Sequence, residues 1–184
     1  MPDIDESQLI DASLQGNTGA FGQLVQLHQN RLFNAMAHFC GNATEAEDVV
    51  QEAFLQAYLK LAKFQQNSQF YTWLYRIAHN AAISRKRRRR VEASVDKNRE
   101  DTGLEPVDAG DAPGDRMIRE EQAAQVHQAL ATLSDEHREI LILREMDGCD
   151  YEQIAETLDI NVGTVRSRLH RARMQLRERL RELD

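Results

Sequence analysis

The chain has 184 residues, of which 41% are hydrophobic and 29% charged, and its formal net charge is -7. This composition indicates a soluble globular protein with a core of its own, and it excludes a membrane-embedded chain. The apolar runs are too short to span a bilayer, and the N-terminus "MPDIDESQLI" lacks an apolar secretion signal. We therefore expect neither export nor membrane insertion.

Helical spacing of apolar residues dominates the first half of the chain. The apolar residues between Phe21 and Met36, and again between Val49 and Leu61, recur every three or four positions. Between these runs, Thr44 and Glu47 have the spacing of a capping box, which predicts where the second helix begins. A third helix is predicted to start near Phe70.

A change of composition from Glu92 to Arg116 predicts a linker. The segment "EASVDKNREDTGLEPVDAGDAPGDR" has no aromatic residue and no apolar periodicity, and acidic residues outnumber basic ones. The sequence therefore predicts a first domain at 1-91, a flexible acidic linker at 92-116 and a second domain at 117-184.

The second half begins with two predicted helices, near Met117 to Leu130 and Asp135 to Met146. Ser134 is expected to cap the second of these helices, and Gly148 is expected to end it.

A short helix, a tight turn and a long helix follow. The short helix is "YEQIAETL", and the turn covers Asp159 to Asn161, where Asp159 can adopt a left-handed backbone and Asn161 can cap the next helix. This spacing is typical of a helix-turn-helix, whose second helix enters the major groove of DNA.

The last helix separates an apolar stripe from a basic face. At 100° per residue, Ser167, His170 and Arg171 fall opposite the stripe, with Arg166 and Arg168 on its flanks. Arginine suits bidentate contact to guanine, so this face is a candidate for reading bases. The alternative is a solvated helix face rich in Arg and Glu.

The stretch "EILILREMDGCDYEQIAETLDINVGTVRSRLHRAR" closely resembles the C-terminal domain of bacterial RNA polymerase sigma factors of the extracytoplasmic-function class, envelope-stress type. The segments "EAEDVVQEAFLQAYLKLAKF" and "FYTWLYRIAHNAAISRKRRRR" resemble the other sigma domain, so the resemblance covers roughly residues 8 to 90 and 117 to 182. It implies an all-α fold of two small helical domains, a sigma region 2 bundle and a sigma region 4 helix-turn-helix.

The resemblance also implies three sets of contact residues. The −35 promoter element would be bound by Arg166, Ser167, Arg168, His170, Arg171 and Arg173, with Arg168 and Arg173 nearer phosphates than bases. The melted −10 element would be bound by Phe64, Gln65, Asn67, Ser68, Tyr71, Arg76 and Asn80. Core RNA polymerase would be bound by Asp48, Val49, Gln51, Glu52 and Phe54, although taken alone this helix could be an ordinary amphipathic surface.

Residue chemistry independently supports binding of unpaired bases in the first domain. Phe64, Tyr71 and Trp73 cluster beside cations, and stacking on an aromatic ring contributes about 1–3 kcal/mol per base. Trp73 could instead be a core residue. The run "RKRRRR" at Arg85 to Arg90 is expected to track phosphates; a nuclear localisation signal or a solvated helix end are the alternatives.

The only cysteines, Cys40 and Cys149, do not form a CxxC pair. Ordinary reduced thiols of a cytoplasmic protein are the favoured interpretation, and redox sensing is the alternative. No phosphate-binding loop, metal cluster or nucleophile–base pair is visible, so we expect no metal, no cofactor and no catalysis.

The sequence as a whole predicts a transcription initiation factor that binds core RNA polymerase and promoter DNA. It would act in the cytoplasm at the nucleoid, and resemblance implies an anti-sigma factor that could hold it at the membrane. A stand-alone helix-turn-helix regulator and a DNA-processing enzyme such as a recombinase are the alternatives.

Overall fold

The computed structural model describes residues 5–95 and 113–183, and this part of the chain contains helices and no strand. The helices are α1 (Glu6–Leu14), α2 (Thr18–Cys40), α3 (Ala43–Lys60), α4 (Phe70–Val95), α5 (Pro113–Thr132), α6 (Asp135–Leu141), α7 (Tyr151–Leu158) and α8 (Val162–Leu183). The prediction of an all-α fold is confirmed. No helix within the described ranges is both long and apolar enough to cross a bilayer.

Helices α1 to α4, called the first helix group, pack around a shared core. The fully enclosed side chains of this core include Leu24, Leu32, Met36, Val49, Phe70, Leu74 and Tyr75. The helix starting near Phe70 is confirmed. A single turn of 3-10 helix, Leu61–Lys63, and a short loop connect α3 to α4.

The predicted capping box of Thr44 and Glu47 is wrong. Asn42 caps α3 instead, because its backbone is extended and its Oδ1 accepts a hydrogen bond from the Glu45 amide at 3.0 Å. Gly41, with φ of +71°, ends α2 directly before this cap. The helix therefore begins one residue before Thr44, inside the segment that was predicted to precede it.

Helices α5 to α8 form the second helix group. Ser134 caps α6 as predicted, but the single helix expected from Asp135 to Met146 changes geometry after Leu141. A π-helical turn, Ile142–Met146, follows, and the Asp147 amide donates to the Ile142 carbonyl at 2.9 Å. Gly148, with φ of +67°, then redirects the chain.

The helix-turn-helix geometry predicted for α7 and α8 is present. Asp150 and Gln153 form a capping box at the start of α7, which the sequence analysis did not identify. Asp159 takes the expected left-handed conformation with φ of +53°, and the Asn161 Oδ1 accepts from the Thr164 amide at 2.8 Å. These two features set the angle at which α8 leaves the turn.

The two helix groups pack directly against each other, with α7 against α4 and the π-helical turn against α2. Their buried residues form one continuous hydrophobic cluster. Helix α4 runs to Val95 and α5 begins at Pro113, so helical structure extends into both ends of the predicted linker. The rest of that linker, 96–112, lies outside the described residues.

Candidate nucleic-acid interface

The basic face of α8 points outward. Ser167, His170 and Arg171 are exposed, whereas Val165 and Leu169 are buried against the rest of the second helix group. Arg166 and Arg173 are exposed as well. The helix-turn-helix therefore presents a row of hydrogen-bond donors on the helix that would enter a DNA groove.

Two of the arginines on α8 are engaged by acidic neighbours. The Nη2 of Arg168 lies 3.1 Å from the Glu136 carboxylate, and the Nη2 of Arg173 lies 2.6 Å from that of Glu145. Ion pairs at exposed positions contribute little stability, about 0–1 kcal/mol, so a DNA phosphate could displace either carboxylate. These two arginines are the ones expected to lie nearer phosphates than bases.

The loop between the 3-10 turn and α4 carries exposed amide groups. Gln65 and Asn67 are exposed, and Gln66 adopts a left-handed conformation with φ of +52°. Phe64 and Phe70 anchor the two ends of the loop, with their ring centroids 5.7 Å apart in an edge-to-face contact. The apolar anchors hold the loop in place while its polar side chains face solvent.

This loop forms one wall of an open cavity of about 570 Å³. Gln66, Asn67 and Ser68 line the cavity from the loop, and acidic residues of α1, of α7 and at the N-cap of α7 line it as well. The lining acids are Glu6, Asp150, Glu152 and Glu156. The predicted base-contacting loop thus faces carboxylates in this arrangement.

Phe64 and Tyr71, both predicted to contact bases, are buried, with 8% and 4% of their surface exposed. The Tyr71 hydroxyl donates to the Asp147 Oδ2 at 2.6 Å, and the Arg31 guanidinium lies 3.8 Å from the centroid of the Tyr71 ring. Burial, and then the Asp147 carboxylate, raise the pKa of Tyr71. In this arrangement neither ring is accessible to stack on a base.

Trp73 is partly buried, and its ring lies 5.0 Å from that of Phe64. This arrangement therefore favours a packing role for Trp73, which is the alternative that the sequence left open.

Arg76 and Asn80 lie one turn apart on α4, and both are exposed. The Arg76 guanidinium donates to the Glu156 carbonyl at 2.6 Å and to the Thr157 carbonyl at 3.3 Å, at the C-terminal end of α7. Both residues line a second cavity of about 460 Å³, together with Arg168. Residues predicted for the −10 and −35 elements thus meet in one cavity between the helix groups.

The predicted polymerase-binding residues divide into two classes. Val49 and Phe54 are 0% and 7% exposed, so in this arrangement they pack in the core of the first helix group. Asp48 and Gln51 are exposed, and Glu52 is half-buried. Arg85 contacts the carboxylates of Asp48 and Glu52 at 2.5 and 3.3 Å.

Three exposed hydrophobic residues on α3 were missed by the sequence analysis. Leu55, Tyr58 and Leu59 are 58%, 41% and 67% exposed. Leu55 and Leu59 follow Asp48 and Glu52 at helical spacing, so the acids and the leucines share one face. The signal available in the sequence was that these three residues fall outside the buried apolar stripe of α3. Neighbouring apolar side chains on a surface mark a partner-binding site.

The basic run at the end of α4 is partly neutralised. Lys86 contacts Asp135 of the second helix group, and Arg89 contacts Glu45 at 2.7 Å. Arg87 and Arg88 are exposed. Arg87 and Arg88 are therefore the first candidates for phosphate contact along this run.

Two family models match the chain. One is described as Sigma-70 region 2 and matches residues 24–92, and the other is described as Sigma-70, region 4 and matches residues 123–176. The matched segments contain the loop before α4 and the helix-turn-helix, respectively.

Whole-length relatives agree with these matches. The RNA polymerase sigma-H factor of Pseudomonas aeruginosa is 40% identical over 97% of this chain and 95% of its own length. The ECF RNA polymerase sigma factor SigW of Bacillus subtilis is 36% identical over 92% of this chain and 93% of its own. Among solved structures, the sigma factor RpoE in complex with the anti-sigma factor NepR from Bartonella quintana is similar with a TM-score of 0.73 and 28% identity, covering 88% of this chain and 96% of that one.

Proposed function

Because this chain belongs to the extracytoplasmic-function class of the sigma-70 family, we propose that its two helix groups recognise different elements of one promoter. The protein is a transcription initiation factor that binds core RNA polymerase and promoter DNA. Sigma factors are initiation factors rather than enzymes. The first helix group corresponds to sigma region 2 and the second to sigma region 4.

The second helix group reads the −35 element through α8. The observation that carries this assignment is the outward row of Ser167, His170 and Arg171 on the second helix of a tight helix-turn-helix. Arg166 extends this row, while Arg168 and Arg173 exchange their carboxylate partners for phosphates on binding.

The first helix group engages the melted −10 element through the loop before α4. Gln65, Asn67 and Ser68 offer hydrogen-bonding groups for the edges of an unpaired base, and Asn80 extends the site along α4. Holding such a base offsets the few kcal/mol lost when a duplex step is unstacked. The exposed Arg87 and Arg88 supply phosphate contacts at the far end of the helix.

Core polymerase docks on the face of α3 that carries Asp48, Gln51, Glu52, Leu55 and Leu59. Exposed leucines flanked by carboxylates form an apolar centre with a charged rim, which is the usual anatomy of a protein–protein interface. An anti-sigma factor, such as the one in complex with the Bartonella quintana relative, would compete for these surfaces. The protein then acts in the cytoplasm. It would be at the nucleoid when free, and an anti-sigma factor could hold it at the membrane.

Run-off transcription from a library of promoters, with purified core polymerase, tests this function. We expect transcripts only when the protein is present, and loss of those sharing one upstream sequence when Arg171→Ala is used. Arg179→Ala is the matched control, because Arg179 is exposed and pairs within α8 with Glu182. A protein that shifts duplex DNA alone but adds nothing to core polymerase would be a stand-alone regulator instead.

A further inference from the structure

We propose that α1 sets the shape of the −10 recognition loop, and that Asp11 is the positioning residue through which it does so. The −10 recognition loop is the segment 65–69, between the 3-10 turn and α4. What this loop binds rests on the proposed function, whereas the contact between α1 and the loop can be measured separately. Helix α1 lies outside both of the segments that the family models match.

Gln66 has a backbone conformation that residues with a side chain rarely adopt. Its φ of +52° lies in the left-handed region, where the Cβ atom crowds the following carbonyl oxygen. Aspartate and asparagine tolerate this region better, because their short polar side chains can bond to the local backbone. Glutamine has no such advantage, so contacts from the surrounding structure must hold Gln66 in place.

The side chain of Gln66 is held by α1. Its Nε2 donates a hydrogen bond to the Oδ1 of Asp11 at 3.2 Å, across 55 residues of sequence. Ile10, which precedes Asp11, is 3% exposed and lines the same cavity as Phe64 and Gln66. Helix α1 and the loop therefore border one cavity, and the hydrogen bond from Gln66 links them.

The conformation of Gln66 governs where its two neighbours lie. The backbone bends at 66–68, and the Asn67 Nδ2 donates to the Gln65 Oε1 at 3.3 Å. An extended residue at position 66 would keep these two neighbours a full strand repeat apart, whereas the bend brings their amide groups together. Their mutual bond leaves the Gln65 Nε2 as a donor and the Asn67 Oδ1 as an acceptor for the edge of a base.

Asp11 can serve as a fixed point because α1 is itself anchored. The Oε2 of Glu6 lies 2.7 Å from the Nε2 of His28 on α2, and the His28 side chain is only 12% exposed. The ring centroid of His28 lies 5.4 Å from that of Phe70, which anchors the far end of the loop. Helix α1 is thus tied beside one end of the loop and hydrogen-bonded to its middle.

A loop that is already ordered captures a base at lower cost. Binding then loses less conformational entropy, so the same base contacts give a higher affinity. Loss of the Asp11 contact should therefore slow promoter opening. It should not alter binding to core polymerase or to the −35 element, which use α3 and α8.

The test uses the full chain with three substitutions on α1. Asp11→Ala removes the acceptor of the hydrogen bond. Asp11→Asn removes the charge but keeps an oxygen that can accept from Gln66, so it should restore the natural behaviour. Gln8→Ala is the matched control, because Gln8 is exposed on the same helix.

The ¹⁵N heteronuclear NOE of the backbone amides reports the order of the loop in the free protein on the picosecond to nanosecond timescale. We expect lower values at Gln66 and Asn67 in Asp11→Ala, and natural values in Asp11→Asn and Gln8→Ala. Circular dichroism should stay the same in all three variants, because the substituted positions are exposed.

Permanganate reactivity of −10 thymines, followed over time on a promoter from the run-off library, reports the rate of opening with core polymerase. Asp11→Ala should lower this rate about fivefold, which is what the loss of one hydrogen bond usually costs. The affinity for core polymerase should not change. In a Gln66→Ala background, Asp11→Ala should have no further effect, because the donor is already absent.

Three results would overturn the inference. The first is that Asp11→Ala matches Gln8→Ala in loop order and in opening rate. The second is that Asp11→Asn is as slow as Asp11→Ala, because the effect would then come from charge and not from the hydrogen bond. The third is that Asp11→Ala loosens the loop without slowing opening, because the contact would then be structural only.

Failure of the proposed function has a different signature. If the natural protein initiates transcription and neither Gln65→Ala nor Asn67→Ala slows opening, the −10 role of the loop fails, while any effect of Asp11→Ala on loop order stands. If Gln65→Ala and Asn67→Ala slow opening and Asp11→Ala does not, the −10 role stands and positioning by α1 is refuted.

Discussion

The guanidinium of Arg138 donates a hydrogen bond to the carbonyl of Phe39, 99 residues earlier in the chain, at a distance of 2.9 Å. The same guanidinium also donates to the carbonyls of Leu130, Ala131 and Leu133 at 2.9 to 3.1 Å. One charged group therefore satisfies the free carbonyls at the ends of two helices in different helix groups.

We expect Arg138→Ala to lower the free energy of unfolding by about 3 kcal/mol, because several carbonyls would be left without partners inside the protein. Urea denaturation followed by circular dichroism measures the change. Arg179→Ala should shift the same curve by less than about 0.5 kcal/mol, as surface substitutions usually do. Equal effects of the two substitutions would show that the buried hydrogen bonds contribute nothing specific.

Stability should fall as the pH is lowered through the weakly acidic range. Burial, with a contribution from His127, lowers the pKa of His38 from 6.5 to about 4. Burial lowers the pKa of His127 as well. Between pH 6.5 and 4 the unfolded chain therefore binds protons that the folded chain does not, so the free energy of unfolding decreases as pH falls.

The contribution of His38 can be isolated by comparing urea denaturation curves at several values between pH 7 and pH 4.5. His38→Gln should decrease the pH dependence of the free energy of unfolding over this interval. His170→Gln, at an exposed position on α8, should leave it as in the natural protein. A slope that His38→Gln does not change would mean that other groups govern the acid response.

Leu55→Asp and Leu59→Asp should each weaken binding to core polymerase at least about tenfold, since a charge in the apolar centre of an interface removes a main source of binding energy. Both leucines are more than half exposed, so the free energy of unfolding should change little. Titration of labelled protein with core polymerase measures the affinity. Leu27→Asp, at a position on α2 that is 46% exposed, is the control and should bind normally.

The two cysteines should be nearly inert to oxidants and thiol reagents. Burial, and then Glu45, raise the pKa of Cys40 to about 12, and burial, followed by Asp147, raises the pKa of Cys149. Because the thiolate is the reactive form, modification of the native protein by a disulfide reagent should be at least about a hundredfold slower than in urea. Rapid native modification of Cys40 would instead favour the redox-sensing interpretation.

The helices and the helix-turn-helix could be predicted because they depend on local patterns. Apolar spacing located α2 and α8, and Asp159 was recognised as a residue that tolerates the left-handed turn. The start of α3 was misplaced because two candidate caps lie within three residues, and Asn42 competes successfully with Thr44. The π-helical turn has no sequence signature of its own.

The candidate site was predictable in its residue types but not in its accessibility. Helical periodicity placed Ser167, His170 and Arg171 outward on α8, because one face of that helix packs within its own group. Tyr71 was expected to be available to DNA. Its hydroxyl instead donates to Asp147, 76 residues later, and no local pattern reports a contact between two helix groups.

The unbroken course of α4 from Phe70 to Val95 also sets the distance between the recognition loop and the basic run. At 1.5 Å per residue, the 17 residue steps from Phe70 to Arg87 correspond to about 26 Å of helix. That distance is about seven or eight base-pair steps of B-form DNA at 3.4 Å each. A fixed distance would therefore separate the residues that capture a base from those that contact the duplex phosphates. This distance would be the same whatever the promoter sequence.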